Sequence, residues 1–207
     1  MNQYNSNIQV KIMIEELIIN LNKFIPKRAN GNLPQAAIII LLEPRDNDFD
    51  VIFTERSKKL PSHAGEVSFP GGKSEDKDSS LIDTALREAQ EEIGLVPENV
   101  KILGQLDTQE SRWGLSVTPF VGIIQKTQRF IAEPKEVESI FKVPLSYFKD
   151  APEILNKITN ASGESFITPV IGYENYKIWG LTLAFTLQFL KLSNIDIEID
   201  DLHFREA

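Results

Sequence analysis

The sequence contains no cysteine. That excludes a disulfide framework, a thiolate nucleophile and zinc held on sulfur, and it agrees with a reducing compartment. Histidine is nearly as scarce: His63 and His203 are the only two, too few for a multi-histidine metal site. A metal bound here must rest on carboxylates, which favours hard cations such as Mg²⁺ or Mn²⁺. Positive charge is in deficit as well. A formal net charge of −8 supplies no basic field for a nucleic acid, whereas a phosphorylated small molecule fits if local cations or a metal screen the site. No apolar run approaches the roughly 20 residues that span a bilayer. The opening MNQYNSNIQVKIMIEEL has neither the basic start nor the small-residue cleavage site of a secretory signal. No membrane role is expected, and the expected location is the cytoplasm.

What is present suits a packed globular chain: 207 residues, 42% of them hydrophobic, with no repeat and no Pro/Gly/Ser-rich linker. Residues 8–24 predict an amphipathic helix from Ile12, Leu17, Ile18 and Leu21. Asn30-Gly31 and Pro34 predict a loop. Ala36–Leu42 is a short, almost wholly apolar run of the kind a buried strand shows, and Asp50–Glu55 is its returning partner across a polar turn. Val67–Phe69 predicts a short strand ending at Pro70-Gly71-Gly72. Further strands are expected at Val100–Leu106, Val117–Ile124 and Lys177–Ile178, and helices at Val137–Tyr147 (interrupted by Pro144) and Thr182–Leu192. Strands and helices without strict alternation imply an α+β or α/β sandwich. The acidic end IDIEIDDLHFREA predicts a solvated tail.

Ser80–Ile93 is the clearest helix, with Gly94 placed for a left-handed stop and Pro97 beyond it. At about 100° per residue, Ile82, Ala85, Leu86, Ala89 and Ile93 share one face, which packs on the core. Asp83, Arg87 and Gln90 fall on a second face, suited to water or a partner. Glu88, Glu91 and Glu92 share a third. Like charges at such spacings repel, and the C-terminal half of a helix disfavours anions. A divalent cation would turn that liability into a site. A merely solvated acidic face is the plain alternative.

The stretch Gly72–Leu95, GKSEDKDSSLIDTALREAQEEIGL, closely resembles the Nudix box. Its core is present as Arg87, Glu88, Glu91, Glu92 and Gly94. The resemblance implies the Nudix fold, a mixed β-sheet sandwiched between α-helices, and a Mg²⁺ or Mn²⁺ cofactor. It implies Glu88 and Glu92 as metal ligands, Glu91 as a third ligand or water-activating group, and Arg87 as a residue orienting a carboxylate. The common box has a glycine, five residues, a glutamate, seven residues and then the arginine. Counting back from Arg87, the glutamate position holds Ser79 and the glycine position holds Lys73, so Gly72 implies one extra loop residue. Glu75, Asp76 and Asp78 are acids nearby, none at the usual spacing.

Immediately upstream, TERSKKLPSHAGEVSFPGGK (Thr54–Lys73) resembles the signature of the coenzyme A diphosphatase branch of that family. Thr54, Arg56, Ser57, Ala64, Gly65, Val67, Ser68, Phe69, Pro70, Gly71 and Gly72 match, while Pro61 stands where arginine is usual and Glu66 where glutamine is common. SVTPFVGII, EPKEVESIFKVPLSYF and YKIWGLTLAFTLQFL also resemble this branch, so the likeness runs from about Ala36 to Leu192. The implied organisation is a helical extension over 1–30, a Nudix domain over 31–193 and an acidic tail over 194–207. Substrate contacts are expected from Arg56, Lys58, Lys59, His63, Gly71 and Gly72: the glycines admit close backbone approach, and the cations meet phosphate.

The implied reaction is attack of water on a phosphorus of coenzyme A or acyl-CoA, giving 3′,5′-ADP and (acyl-)4′-phosphopantetheine. Glu91, Glu92 and Glu136 are the candidate bases. Hydrolysis of another nucleoside diphosphate derivative (NADH or ADP-ribose) is an alternative, as is nucleotide binding without hydrolysis. Trp113 and Trp179 offer stacking surfaces for adenine or walls for a pantetheine channel, although aromatics beside strands commonly pack as core or rim. Relatives in this family often form homodimers, and oligomeric state is otherwise open.

Overall fold

The computed structural model describes residues 2–28, 32–150, 153–159 and 165–195. The apolar run Ala36–Leu42 forms the centre of β1 (Gln35–Arg45). Its side chains alternate between two apolar clusters: Ala37, Ile39 and Leu41 enter one, and Ala36, Ile40 and Leu42 the other. Because both faces are covered, no polar alternation shows in the sequence. β2 (Asp48–Arg56) returns antiparallel, with Leu41 opposite Ile52 and Arg45 opposite Asp48.

The two strands then part, and the chain that follows fills the gap between them. β3 (Val67–Ser68) pairs with β2, Thr54 facing Ser68. β4 (Gly71–Lys73) pairs with β1, Ile38 facing Gly71. On the other side of β1, β7 (Ser116–Ile124) runs parallel to it, and β5 (Val100–Gln105) and β6 (Gln109–Glu110) pair antiparallel with β7. β8 (Val137–Pro144) pairs with β2 and completes an eight-stranded mixed sheet.

Helices cover both faces. α2 (Leu81–Ile93) lays Ala85, Ala89 and Ile93 on Ala37, Ile39, Leu41, Ile52 and Phe120. α1 (Asn2–Lys23) and α3 (Gly180–Leu192) cover the opposite face through Leu17, Leu21, Leu183, Phe185 and Phe189. The Asn20 side chain ties those two helices together, donating to the Leu192 carbonyl at 2.9 Å. A smaller antiparallel sheet of β9 (Glu153–Thr159), β10 (Ser165–Tyr173) and β11 (Tyr176–Trp179) leads into α3. This is the sandwich of mixed sheet and helices that the sequence predicted. Among the described residues no helix is long and apolar enough to cross a membrane.

The structure corrects one element outright. The helix expected over Val137–Tyr147 is β8 followed by a 3₁₀ turn, Leu145–Lys149. Val137, Phe141 and Val143 are buried while Glu138 and Lys142 are exposed, a period of two rather than 3.6. Pro144 ends the strand instead of kinking a helix. α1 also starts earlier than residue 8, and Ile12 lies exposed rather than on its core face. The sequence showed no sign of β9 and β10. The acidic tail lies outside the described residues from position 196 onward.

Candidate active site

α2 begins at an N-cap, Ser80, whose Oγ accepts from the Asp83 N–H at 3.2 Å, and stops at Gly94 with φ 68°. Its terminal carbonyls are not left to water. The loop after β7 lies against them, the Ile131 N–H donating to the Ile93 carbonyl and the Glu133 N–H to the Glu92 carbonyl, both at 2.9 Å. That docking also brings Glu136 close enough to influence Glu88 and Glu92 electrostatically. Glu136 sits in a loop before a strand, so its position owes nothing to a helix terminus.

Arg87 shows how the departure at Ser79 is resolved. Ser79 is exposed. Its neighbour Asp78 takes the arginine instead, accepting from Nε at 2.8 Å and from Nη2 at 2.9 Å. The hydrogen bonds from Arg87 hold the Asp78 carboxyl far below the usual carboxylate range, and Asp78 in turn pushes the guanidinium up. The acid that meets Arg87 is therefore the residue just before the position that counting from the common box assigns. Arg87 also donates through Nη1 to Glu88 Oε1 (3.0 Å) and Glu91 Oε2 (3.1 Å), and through Nη2 to the Lys73 carbonyl (3.0 Å). It is a hub joining the box loop to the helix, so of the two roles helical phase allowed that face, water or a partner, Arg87 takes the partner. Lysine cannot reproduce this fork. Arg87→Lys is therefore expected to cost about 2 kcal/mol, roughly 5 °C in melting temperature for a chain of this size. A thermal melt matching wild type would contradict that role.

The glycine strand supplies the other wall. Gly71 (φ 146°) runs so close to β1 that an added Cβ would lie 2.3 Å from the Ala37 carbonyl oxygen. Its N–H donates to Glu92 Oε2 at 3.0 Å. Glu92 is 3% exposed, and burial raises its carboxyl to about 7 against the opposing pull of the Gly71 N–H and Arg56. Glu88 is also raised, first by burial, with Arg87 pulling the other way. A Cβ on Gly72 would stand 2.5 Å from the Glu88 carboxylate, so only glycine leaves that carboxylate its place. Glu91 differs from both. It is exposed and turned toward Arg87, with Lys77 Nζ 4.0 Å from its Oε1.

Of the predicted substrate cations, Arg56 alone meets the carboxylates: its Nη1 lies 3.9 Å from Glu92 Oε1. Its Nε is buried with no acceptor among the described residues. Lys58 and Lys59 stay exposed, Lys58 lying 3.6 Å from Glu55. His63 instead pairs with Glu66, Nδ1 to Oε2 at 2.8 Å.

Among the described residues no three acidic or histidine side chains are already gathered as a metal cluster. The donor chemistry nonetheless suits a hard cation. Glu88 and Glu92 offer carboxylate oxygens beside a glycine strand with no side chain to intrude, and the burial of Glu92 is under-compensated by its present partners.

A carboxylate-bearing helix thus docks on a glycine strand within a helix-covered mixed sheet. The chain belongs to the Nudix family: the NUDIX domain pattern matches residues 32–155, more than half its length. An Arabidopsis thaliana protein named Nudix hydrolase 15, mitochondrial, is 39% identical over 173 residues, covering 81% of this chain but 59% of that protein. A Photorhabdus laumondii protein named uncharacterized Nudix hydrolase NudL is 38% identical over 159 residues, covering 76% of this chain and 83% of its relative. The crystal structure of RenU, a Nudix hydrolase of M. smegmatis, superposes with a TM-score of 0.48 at 19% identity, over 62% of this chain and 83% of that one.

Proposed function

We propose that this Nudix hydrolase is a coenzyme A or acyl-CoA diphosphatase using Mg²⁺ or Mn²⁺. One observation carries the reading: the Thr54–Lys73 segment and α2 build a single site. The segment's Gly71 N–H bonds Glu92, and its Arg56 lies 3.9 Å from the same carboxylate with a buried Nε lacking an acceptor. Three residues of the segment that resembles the coenzyme A branch, Arg56, Gly71 and Gly72, thus lie beside Glu88 and Glu92, which supports the reading.

Glu88 and Glu92 would hold the cation, with Glu91 and Glu136 available beside them. Bound there, a divalent ion stabilises charge developing on the diphosphate and acidifies the attacking water. Arg56 receives a phosphate oxygen, its Nε finding the acceptor it lacks. Arg87 holds Glu88 in place from behind. Water adds to one phosphorus, the bridging P–O bond breaks, and 3′,5′-ADP and (acyl-)4′-phosphopantetheine leave, the cleaved diphosphate now divided between two phosphomonoester ends. Glu136 and Glu91 are the carboxylates proposed to take the water's proton, Glu91 while paired with Arg87; Glu92 is engaged by the Gly71 N–H.

The test is product analysis with Mg²⁺ or Mn²⁺ on coenzyme A, dephospho-coenzyme A, NADH and ADP-ribose. Coenzyme A is expected to give 3′,5′-ADP and 4′-phosphopantetheine with the highest kcat/KM. Absence of 3′,5′-ADP alongside turnover of NADH or ADP-ribose would overturn the substrate and leave a diphosphatase of other nucleotides. That second reading is favoured by Pro61, where the coenzyme A signature loses a cation.

A further inference from the structure

Three segments that no motif links converge on the backbone next to Arg56, the residue whose side chain approaches Glu92. The first is the turn joining β6 to β7. The Ser111 N–H donates to the Leu115 carbonyl (2.8 Å), the Gly114 N–H to the Ser111 carbonyl (2.9 Å), and the Leu115 N–H to Ser111 Oγ (3.1 Å). Gly114 takes φ 71°, which completes the reversal. A turn so tightly bonded presents its apex side chain, Trp113, 56% exposed. Indole is large and apolar, and holding it out of a core forgoes a sizeable gain.

The second segment is the β11–α3 junction, which carries Trp179 and is pinned to β3 by Thr182 Oγ1 donating to the Val67 carbonyl (2.9 Å). The Arg112 guanidinium lies 5.2 Å from the centre of the Trp113 ring and 5.8 Å from that of Trp179. The third is the loop 57–66. His63 meets Trp113 edge-on with ring centres 5.2 Å apart, and Glu66 pairs with both His63 (2.8 Å) and Arg112 (3.8 Å). His63 has φ 58°, a backbone state that side chains rarely adopt and that surroundings must enforce. Strain of this kind clusters at ligand clamps.

This cluster adjoins the hydrolytic site through one residue. The Arg56 N–H donates to the Glu66 carbonyl (3.0 Å), and the Gly65 N–H to the Arg56 carbonyl (3.1 Å), while the Arg56 side chain reaches toward Glu92. We propose that Trp113, edged by His63 and backed by Arg112 and Trp179, is the stacking platform for the purine base of the substrate. Glu66 is its positioning residue. The inference rests on reading the carboxylate patch as a nucleoside diphosphate hydrolase site.

Stacking suits this surface because every base has a π-face and needs no hydrogen-bond readout to be held by an indole. A guanidinium stacked on the rings adds attraction for electron-rich faces and for phosphate. The pantetheine arm, flexible and neutral, has no aromatic ring to set on such a platform. Glu66 also takes on a different meaning. Its charge is engaged by His63 and Arg112, so the departure from glutamine orders the platform instead of confronting the polyphosphate.

AMP, which has no anhydride to cleave, is the binding probe for the metal-free full chain by calorimetry, with 4′-phosphopantetheine as the comparison. Wild type is expected to bind AMP more tightly than 4′-phosphopantetheine. Trp113→Leu should weaken AMP at least tenfold, with the loss in turnover falling on KM, and Trp113→Phe should recover most of it. Glu66→Gln should weaken AMP by a smaller factor, again through KM. Circular dichroism melts of each variant establish that the fold persists. Equal AMP affinity in wild type and Trp113→Leu would overturn the platform, as would wild type that binds 4′-phosphopantetheine and not AMP. If AMP binding depends on Trp113 but no diphosphate is hydrolysed, the platform stands and the diphosphatase reading falls.

Discussion

Glu92→Gln is expected to lower kcat by roughly a thousandfold on any diphosphate substrate, since removing the buried charge removes the anchor for a divalent ion worth several kcal/mol to the reaction. It is expected to fold, because the amide can still accept the Gly71 N–H through its oxygen. Its stability should also respond to pH differently from wild type. In the metal-free protein, burial raises Glu92 to about 7 from the ordinary 4.5, with Glu88 and Glu136 adding to the rise and the Gly71 N–H and Arg56 opposing it. Between about 4.5 and 7 the folded chain therefore holds a proton that the unfolded chain has released. Stability then falls as pH rises through that window. The amount is on the order of 3 kcal/mol, roughly 6–12 °C in melting temperature. Mg²⁺ or Mn²⁺ binds the ionised form, so its stabilising effect should be larger at about pH 8 than at about pH 6. Melts of wild type and Glu92→Gln across this range, with and without metal, check both parts. Parallel pH profiles would show that the cost of burying this charge lies elsewhere.

Gly72→Ala is expected to leave stability within about 1 kcal/mol of wild type and yet cut turnover roughly a hundredfold, the penalty for displacing a reacting group by about 1 Å. The added methyl would meet the Glu88 carboxylate at 2.5 Å. That carboxylate ends a flexible side chain, so it can swing aside at little cost to the fold. It cannot do so and still ligate a cation beside Glu92. Gly71→Ala provides the contrast. There the obstacles are the Ala37 carbonyl oxygen at 2.3 Å and the Ile38 Cα at 2.5 Å, both backbone of the central strand, at a φ of 146°. Strands must separate, and a loss of about 4 kcal/mol or more is expected. Chemical denaturation with steady-state kinetics on both variants separates the two roles. Full activity in a folded Gly72→Ala would show that the position of Glu88 is immaterial to catalysis.

The sequence made some of this legible, and the reasons differ by residue. α2 could be read because its core stripe, its Ser80 start and its Gly94 stop are all local signals that agree. β1 could be read because covering both faces leaves an unbroken apolar run. β8 was misread because three apolar residues at alternate positions look like a helix face once a Glu and a Lys are ignored. The role of Asp78 was invisible to counting. Register along the chain says that Ser79 occupies the glutamate position, whereas loop geometry turns the preceding carboxylate onto Arg87. Arg56, Lys58 and Lys59 look equivalent as charges, and only tertiary structure separates the one beside Glu92 from the two in solvent. Trp113 and Trp179 could be picked out as stacking surfaces, but their grouping with His63, Glu66 and Arg112 could not, because no periodicity relates these residues.

The central claim is that Glu88 and Glu92 hold a hard divalent cation against the glycine strand. Electron paramagnetic resonance of free Mn²⁺ during titration into the protein near pH 7.5 measures that occupancy directly. Wild type is predicted to bind Mn²⁺ saturably and to release it in competition with Mg²⁺, with Mn²⁺ binding weakened at least tenfold in Glu92→Gln. Indistinguishable Mn²⁺ binding by wild type and Glu92→Gln would contradict the account.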